Sequence, residues 1–289
     1  MLAAVRAERN CIDGVNVTLS WPTSKLDADG SSSSPMIKGV AFLLPGAMTS
    51  ISEYDGLRDI ILSRQHLVVS LFMNVLWPPC DNHRKHARDV ERVFDGLKST
   101  YGNLLSDIDA YAVVGHSVGA KVALLVASVV DPTRVKAVLA LDPVDINPVE
   151  FSKMRGMNLP LNDDDDDGDE LCSDDGDVVR VKNKSPRQEA TANQIRGEND
   201  EKPQHHGSIP IVMTCTDGGP GISKAHDAEA IHALHPLTTC HRHLGAGHMA
   251  YCDHGGGWAG KLLMRGVGTE DGNSKARGAA HDLIRNVLG

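Results

Sequence analysis

No stretch of this chain is apolar for long enough to span a membrane, and Met1 to Asn10 lacks the apolar core of a signal peptide. The six cysteines (Cys11, Cys80, Cys172, Cys215, Cys240 and Cys252) show no C-x-x-C spacing. Scattered in this way they form no disulfide framework and suit a reducing compartment. The expected location is therefore intracellular, chloroplast or cytoplasm, and not secreted. Internal repeats are absent too. So is any excess of basic charge. The formal net charge is −9, yet residues 163–177 alone hold ten acidic and no basic side chains. The remainder carries about one net positive charge, which argues against a nucleic-acid groove. The acidic run reads as a solvated loop. The wider stretch 162–206 is polar and mixed in charge, with little to bury, and is predicted to be a disordered insert in a single domain.

At 289 residues the chain can bury one sizeable α/β core. Its organising stretch is Tyr111 to Val130. A short β-branched run, Tyr111 to Val114, reads as a buried strand, and from Ala120 onward the pattern is helical. Between them lies Gly115-His116-Ser117-Val118-Gly119, a G-x-S-x-G turn with a strand before it and a helix after it. In that context Ser117 stands on a strained turn as a nucleophile. The N–H of Val118 lies at the positive end of the following helix, and a Cβ at Gly115 or Gly119 would clash with packed backbone.

Upstream, Val15 to Trp21 alternates as a strand, Lys25 to Pro35 is an exposed connection, and Lys38 to Leu44 is a buried strand. That strand ends in Pro45-Gly46-Ala47-Met48, where a glycine lets backbone approach a substrate. The N–H of Ala47 is the expected partner of Val118 in an oxyanion hole. A helix is predicted over Ser52 to Arg64, capped by Ser52, then a strand over His66 to Met73 and a turn at Trp77-Pro78-Pro79. An amphipathic helix follows over Asn82 to Lys98, with its basic segment His83-Arg84-Lys85-His86 on the solvated face. Strands alternating with helices imply a mainly parallel sheet covered on both faces.

Downstream, Val135 to Leu141 is a strand ending on Asp142-Pro143-Val144-Asp145, so acids sit at the carboxyl edge beside the elbow. Ile209 to Cys215 is another strand and runs into Asp217. A helix around His226 to Leu234 and a strand over Thr238 to Leu244 lead to Gly245-Ala246-Gly247-His248, and Ala276 to Leu288 closes the chain as a helix. His248, in a glycine loop after a late strand, is the expected general base. The chain order Ser117, Asp142, His248 is that of the α/β-hydrolases. Asp142 is the leading candidate for the acid, with Asp217 and Asp145 as alternatives. His241 and His243 share a strand face, but with no cysteine or carboxylate at ligand spacing they read as surface residues and not as a metal site. The chemistry calls for neither metal nor organic cofactor.

On these residues the chain resembles the chlorophyllase family and its polyester-hydrolase-like relatives among the α/β-hydrolases. The resemblance rests on Gly115-His116-Ser117-Val118-Gly119-Ala120-Lys121, on Leu141-Asp142-Pro143-Val144-Asp145, and on Gly247-His248-Met249 with Asp253 shortly after. The family carries GHSRGGK, DPVDG and a GHMD-type loop at these places. With the Pro45-Gly46 turn, the likeness spans most of residues 38–255 apart from the acidic insert. It implies the α/β-hydrolase fold and hydrolysis of the ester joining phytol to the chlorophyll ring. The substrate would be a lipophilic small-molecule ester, reached through peripheral contact with a membrane. Val118 stands where the family has arginine, Ala120 where it has glycine, and the histidine loop reads His-Met-Ala-Tyr-Cys-Asp. Those departures bear on the substrate and not on the hydrolytic residues. The elbow and Leu-Asp-Pro also resemble the pancreatic-lipase family, whose disulfides and secretion signal are not expected here. The alternative readings are a general carboxylesterase or lipase for short or medium acyl esters and, from another class, a non-catalytic binding protein on the same architecture.

Overall fold

The middle strands are apolar along their whole length because both faces of the sheet are covered. In the computed structural model, which describes residues 6–22, 36–47, 49–72, 83–144, 209–218, 239–255 and 268–289, all six residues of β3 (Gly39–Leu44) are buried. Alternate side chains point to opposite faces. Val40, Phe42 and Leu44 join one core cluster, and Ala41 and Leu43 join the other. The chain divides into two units, Met1–Leu159 with Gly207–Gly289, and Pro160–His206. All described residues belong to the first unit. The connection predicted at 25–35, the turn at 77–79, the insert at 162–206, the helix at 226–234, Asp145 and the side chain of Asp217 lie outside the described residues.

The chain begins with a hairpin, β1 (Arg6–Ile12) and β2 (Val15–Trp21), turned by Asp13 and Gly14, both with positive φ (47° and 78°). That is the backbone a tight Asp-Gly hairpin turn requires. After β3 come a single 3₁₀ turn (Ile51–Tyr54), α1 (Asp55–Ser63) and β4 (His66–Leu71). Next are α2 (His83–Thr100), α3 (Gly102–Leu105), β5 (Tyr111–His116), α4 (Val118–Val129) and β6 (Val135–Leu141). Then follow β7 (Ile211–Gly218), β8 (Thr239–Gly247), a 3₁₀ turn at His248–Tyr251 and α5 (Glu270–Leu288). These eight strands form one sheet in the order β1-β2-β4-β3-β5-β6-β7-β8. β1 and β2 pair antiparallel, as do β2 and β4, and every other pairing is parallel.

α2 and α4 cover one face with Val90, Val93, Phe94, Val122, Leu124 and Val126. α1 and α5 cover the other with Leu57, Ile61, Ala276, Ala280 and Ile284. Burying each of the larger aliphatic or aromatic side chains contributes about 1.5–3 kcal/mol. Among the described residues no helix is long and apolar enough to cross a membrane.

Three local expectations change. Ser52 does not cap α1; the amide of Gly56 in its first turn donates to Asp253 Oδ2 at 2.7 Å, across 197 residues of sequence. α5 begins at Glu270, six residues before the predicted start, because the Thr269 hydroxyl caps it by accepting from Gly272 N–H at 3.0 Å. His83, expected on a solvated face, is buried at the start of α2, while Lys85 is exposed. Cys215 on β7 and Cys240 on β8, scattered in the sequence, sit with their sulfurs side by side. Parallel pairing of β7 with β8 brings together two cysteines that are 25 residues apart.

Candidate active site

The carboxyl ends of β5, β6 and β8 carry the three residues singled out in the sequence. Ser117 follows β5 directly and has φ 56° and ψ −120°, a strained conformation for a residue with a Cβ. The turn is held from both sides. Ser117 N–H donates to Leu141 O on β6 (3.0 Å), and Ser117 O accepts from Lys121 N–H (3.2 Å) and Val144 N–H (3.2 Å). The two elbow glycines are required by close approach. A Cβ on Gly115 would strike the carbonyl of Gly119, and one on Gly119 would strike the carbonyl of Leu44 at the end of β3.

Asp142 also has positive φ, 45°. Its carboxylate accepts from Thr216 N–H (2.9 Å, Oδ1), from the Thr216 hydroxyl (2.7 Å, Oδ2) and from His248 Nδ1–H (2.6 Å, Oδ2). Burial by itself would raise the pKa of this carboxyl. The hydrogen bond and charge of His248, with both bonds from Thr216, overcome that and hold it below the usual value. With Nδ1 donating to Asp142, Nε2 of His248 is left as the acceptor nitrogen. Nε2 is buried and has no hydrogen-bond partner among the described residues. The bond from a serine hydroxyl to such a base commonly closes only in the substrate complex.

The loop after β3 lies against the elbow. Thr49 N–H donates to Gly46 O at 3.3 Å, and Ala47 directly follows the accepting residue. The N–H of Ala47 takes no part in that hydrogen bond. A Cβ at Gly46 would come within 3.1 Å of Ser117 Cβ. Val118 is the first residue of α4, so its N–H has no acceptor within the helix.

The histidine loop is pinned at several points. Gly247 N–H donates to Asn273 Oδ1 (2.8 Å), and Arg277 of α5 donates to the carbonyls of Ala250 and Cys252 (both 3.1 Å). Asp253 N–H donates to Glu53 O at 2.7 Å.

The structure thus brings Asp142 and His248 into contact and sets Ser117 on the neighbouring strand end. Sequence reasoning missed Thr216, Arg277, Tyr54 and the role of His116. Of these only His116 carried a signal, since it sits inside the elbow motif. Buried at 1 % exposure, its ring is driven to a pKa of about 3 by burial and by the neighbouring His248, so it is neutral. His241 is exposed and His243 half-buried on β8, and among the described residues no group of three metal-ligating side chains occurs.

No family model and no curated protein sequence matches the chain. Solved structures are similar to it along its whole length. Est1E from Butyrivibrio proteoclasticus is 14% identical, with 99% of each chain covered and a TM-score of 0.53. MGS-M1, an α/β hydrolase enzyme from a Medee basin deep-sea metagenome library, is 14% identical over 98% of each chain, with a TM-score of 0.52. The Pyrococcus furiosus esterase Pf2001 is 11% identical, with 99% of this chain and 93% of that one covered and a TM-score of 0.52. At such identities the likeness is one of fold. The mainly parallel eight-stranded sheet, with helices on both faces and the serine turn after its central strand, is the α/β-hydrolase fold.

Proposed function

We propose that this protein is a serine hydrolase that cleaves carboxylic esters through an acyl-enzyme. The observation that carries the proposal is the 2.6 Å bond from His248 to Asp142 at the strand ends beside the strained Ser117. His248 Nε2 takes the proton of Ser117 Oγ as the oxygen attacks the ester carbonyl. Asp142 fixes the imidazole tautomer and stabilises the imidazolium that forms. The N–H groups of Ala47 and Val118 hold the tetrahedral oxyanion, worth about 3 kcal/mol per donor. His248 then gives its proton to the leaving alcohol, and water repeats the sequence on the acyl-serine.

The substrate we favour is chlorophyllase-like, an ester of a long lipophilic alcohol on a ring system, met at a membrane surface. Support comes from the motif resemblance around Ser117, Asp142 and His248. A second reading, a general carboxylesterase or lipase on short or medium acyl esters, draws on the esterases among the structures of similar fold, one of them Est1E with ferulic acid bound. The test is a panel comparing chlorophyll a with p-nitrophenyl esters of increasing chain length, run on the native protein and on Ser117→Ala. Turnover and fluorophosphonate labelling should both vanish in Ser117→Ala while the fold survives. Labelling that persists in that variant would remove the proposal. Preference for the short synthetic esters over chlorophyll would select the second reading.

A further inference from the structure

Behind the reacting groups runs a chain of buried hydrogen bonds that the mechanism above does not use. Gly46 N–H donates to Tyr54 Oη at 2.9 Å. Tyr54 Oη lies 2.8 Å from His116 Nδ1, and His116 Nε2 lies 2.9 Å from the main-chain carbonyl of His248. Donor chemistry sets every direction. A carbonyl only accepts, so the proton of the neutral His116 is on Nε2 and Nδ1 must accept from Tyr54. Tyr54 therefore accepts from Gly46 N–H on a lone pair and donates its own O–H to His116. The Thr49 hydroxyl has one proton for two acceptors at the loop end of the chain, Gly46 O at 2.7 Å and Tyr54 Oη at 2.9 Å, and donates to one of them at a time. Tyr54 is fully buried and His116 is 1 % exposed. Solvent therefore cannot replace either bond, and leaving a partner unsatisfied is costly.

The two ends of this chain are the residue next to the expected oxyanion donor Ala47 and the backbone of the expected base. They are otherwise carried by separate strands, β3 and β8. We propose that Tyr54 and His116 are positioning residues. Together they lock the oxyanion loop and the His248 backbone into one rigid frame around Ser117. Neither touches substrate. The inference rests on the ester-hydrolase reading for its kinetic consequence, but the frame itself is a property of the fold.

Tyr54→Phe keeps the ring in the core and removes the hydroxyl. His116→Gln keeps a donor near the His248 carbonyl and leaves no acceptor at the Nδ1 position that Tyr54 faces. Rates are normalised to active sites titrated with a fluorophosphonate, so unfolded protein does not count. Each variant should lose about tenfold in kcat, the scale expected of a small misplacement, with KM held within about twofold. The double variant should be no slower than the slower single, because both cut one chain. A second measurement needs no substrate. The proton shared by His248 Nδ1 and Asp142 lies in a 2.6 Å bond, should resonate far downfield in proton NMR, and should shift or broaden in both variants. If that proton is unchanged, or if the two kinetic losses multiply, the frame does not exist, whatever the variants do to melting temperature. A native protein that turns over no ester would remove the functional reading instead, and the downfield proton would still decide the frame.

Discussion

On the face of the sheet covered by α2 and α4, Val40, Phe42, Leu44 and Val113 pack against Val90, Val93, Phe94 and Val122. On the face covered by α1 and α5, Ala41, Leu43, Val114 and Leu141 meet Leu57, Ile61, Ala276 and Ile284 in much the same way. The second face differs at the strand ends. There the packed layer continues into Tyr54, Tyr251 and Cys252, with the ring of His116 5.6 Å from that of Tyr54 and 5.7 Å from that of Tyr251. Burial raises the pKa of Tyr54 and Tyr251 and pushes the Cys252 thiol up to about 12, so these groups stay neutral. Apolar packing is non-directional and tolerates exchange of similar shapes. Buried hydrogen bonds have direction and fail one at a time. The first face should therefore govern how stable the protein is, and the rim of the second how well it works.

The largest test of that division is at the rim. Asp142→Asn should lower kcat by up to about 10⁴-fold, because the imidazole loses its tautomer control and its charge partner. Steady-state kinetics and a thermal melt on the same sample read both axes, and the melting temperature should move little beside the rate. If Asp142→Asn keeps near-native turnover while Asp217→Asn is crippled, the acid has been misassigned.

Phe94→Ala probes the opposite face. Its ring is fully buried, 4.8 Å from that of Tyr111, and truncation should cost about 3–5 kcal/mol of stability in denaturant titration. Turnover per titrated active site should stay within about twofold. A tenfold drop there would mean that the faces are coupled.

The effect that is smallest at each step of its measurement sharpens the comparison through pH. His116 binds its proton with a pKa of about 3 when folded, against about 6.5 when unfolded. Between those values the unfolded chain holds more protons, so stability falls as pH drops, by about 1.4 kcal/mol per unit from this one group. Its titratable neighbours are Tyr54, Cys252, His248 and Asp142. Asp142, whose folded pKa is depressed, adds a contribution that is present above the ordinary carboxylate range and lost as pH falls through its lower folded value. His116→Gln should flatten the decline between about pH 6.5 and 3 by one proton's worth, measured as urea-unfolding free energy against pH. An unaltered slope would mean that His116 is protonated in the folded protein.

The sequence by itself determined the parts whose signals are local. β3, β4, β5 and β6 could be read because a strand buried on both faces must be apolar at every position. The elbow could be read because backbone approaches so close to Gly115 and Gly119 that no side chain fits. The α/β-hydrolase fold followed from their order. Local patterns failed where the determinant lay elsewhere in the chain. β1 (RAERNCI) has little apolar alternation and is a strand because it pairs with β2 across the Asp13-Gly14 turn. α1 is capped by Asp253, and α5 begins at a threonine cap ahead of its first periodic residue. Only the tertiary structure decided that Asp142 meets His248 across 106 residues, that Cys215 meets Cys240, and that Tyr54, His116 and the His248 carbonyl form one chain. Each of these depends on which strand ends lie side by side, and that is set by the β3-β5-β6-β7-β8 order of the sheet and not by any spacing along the chain.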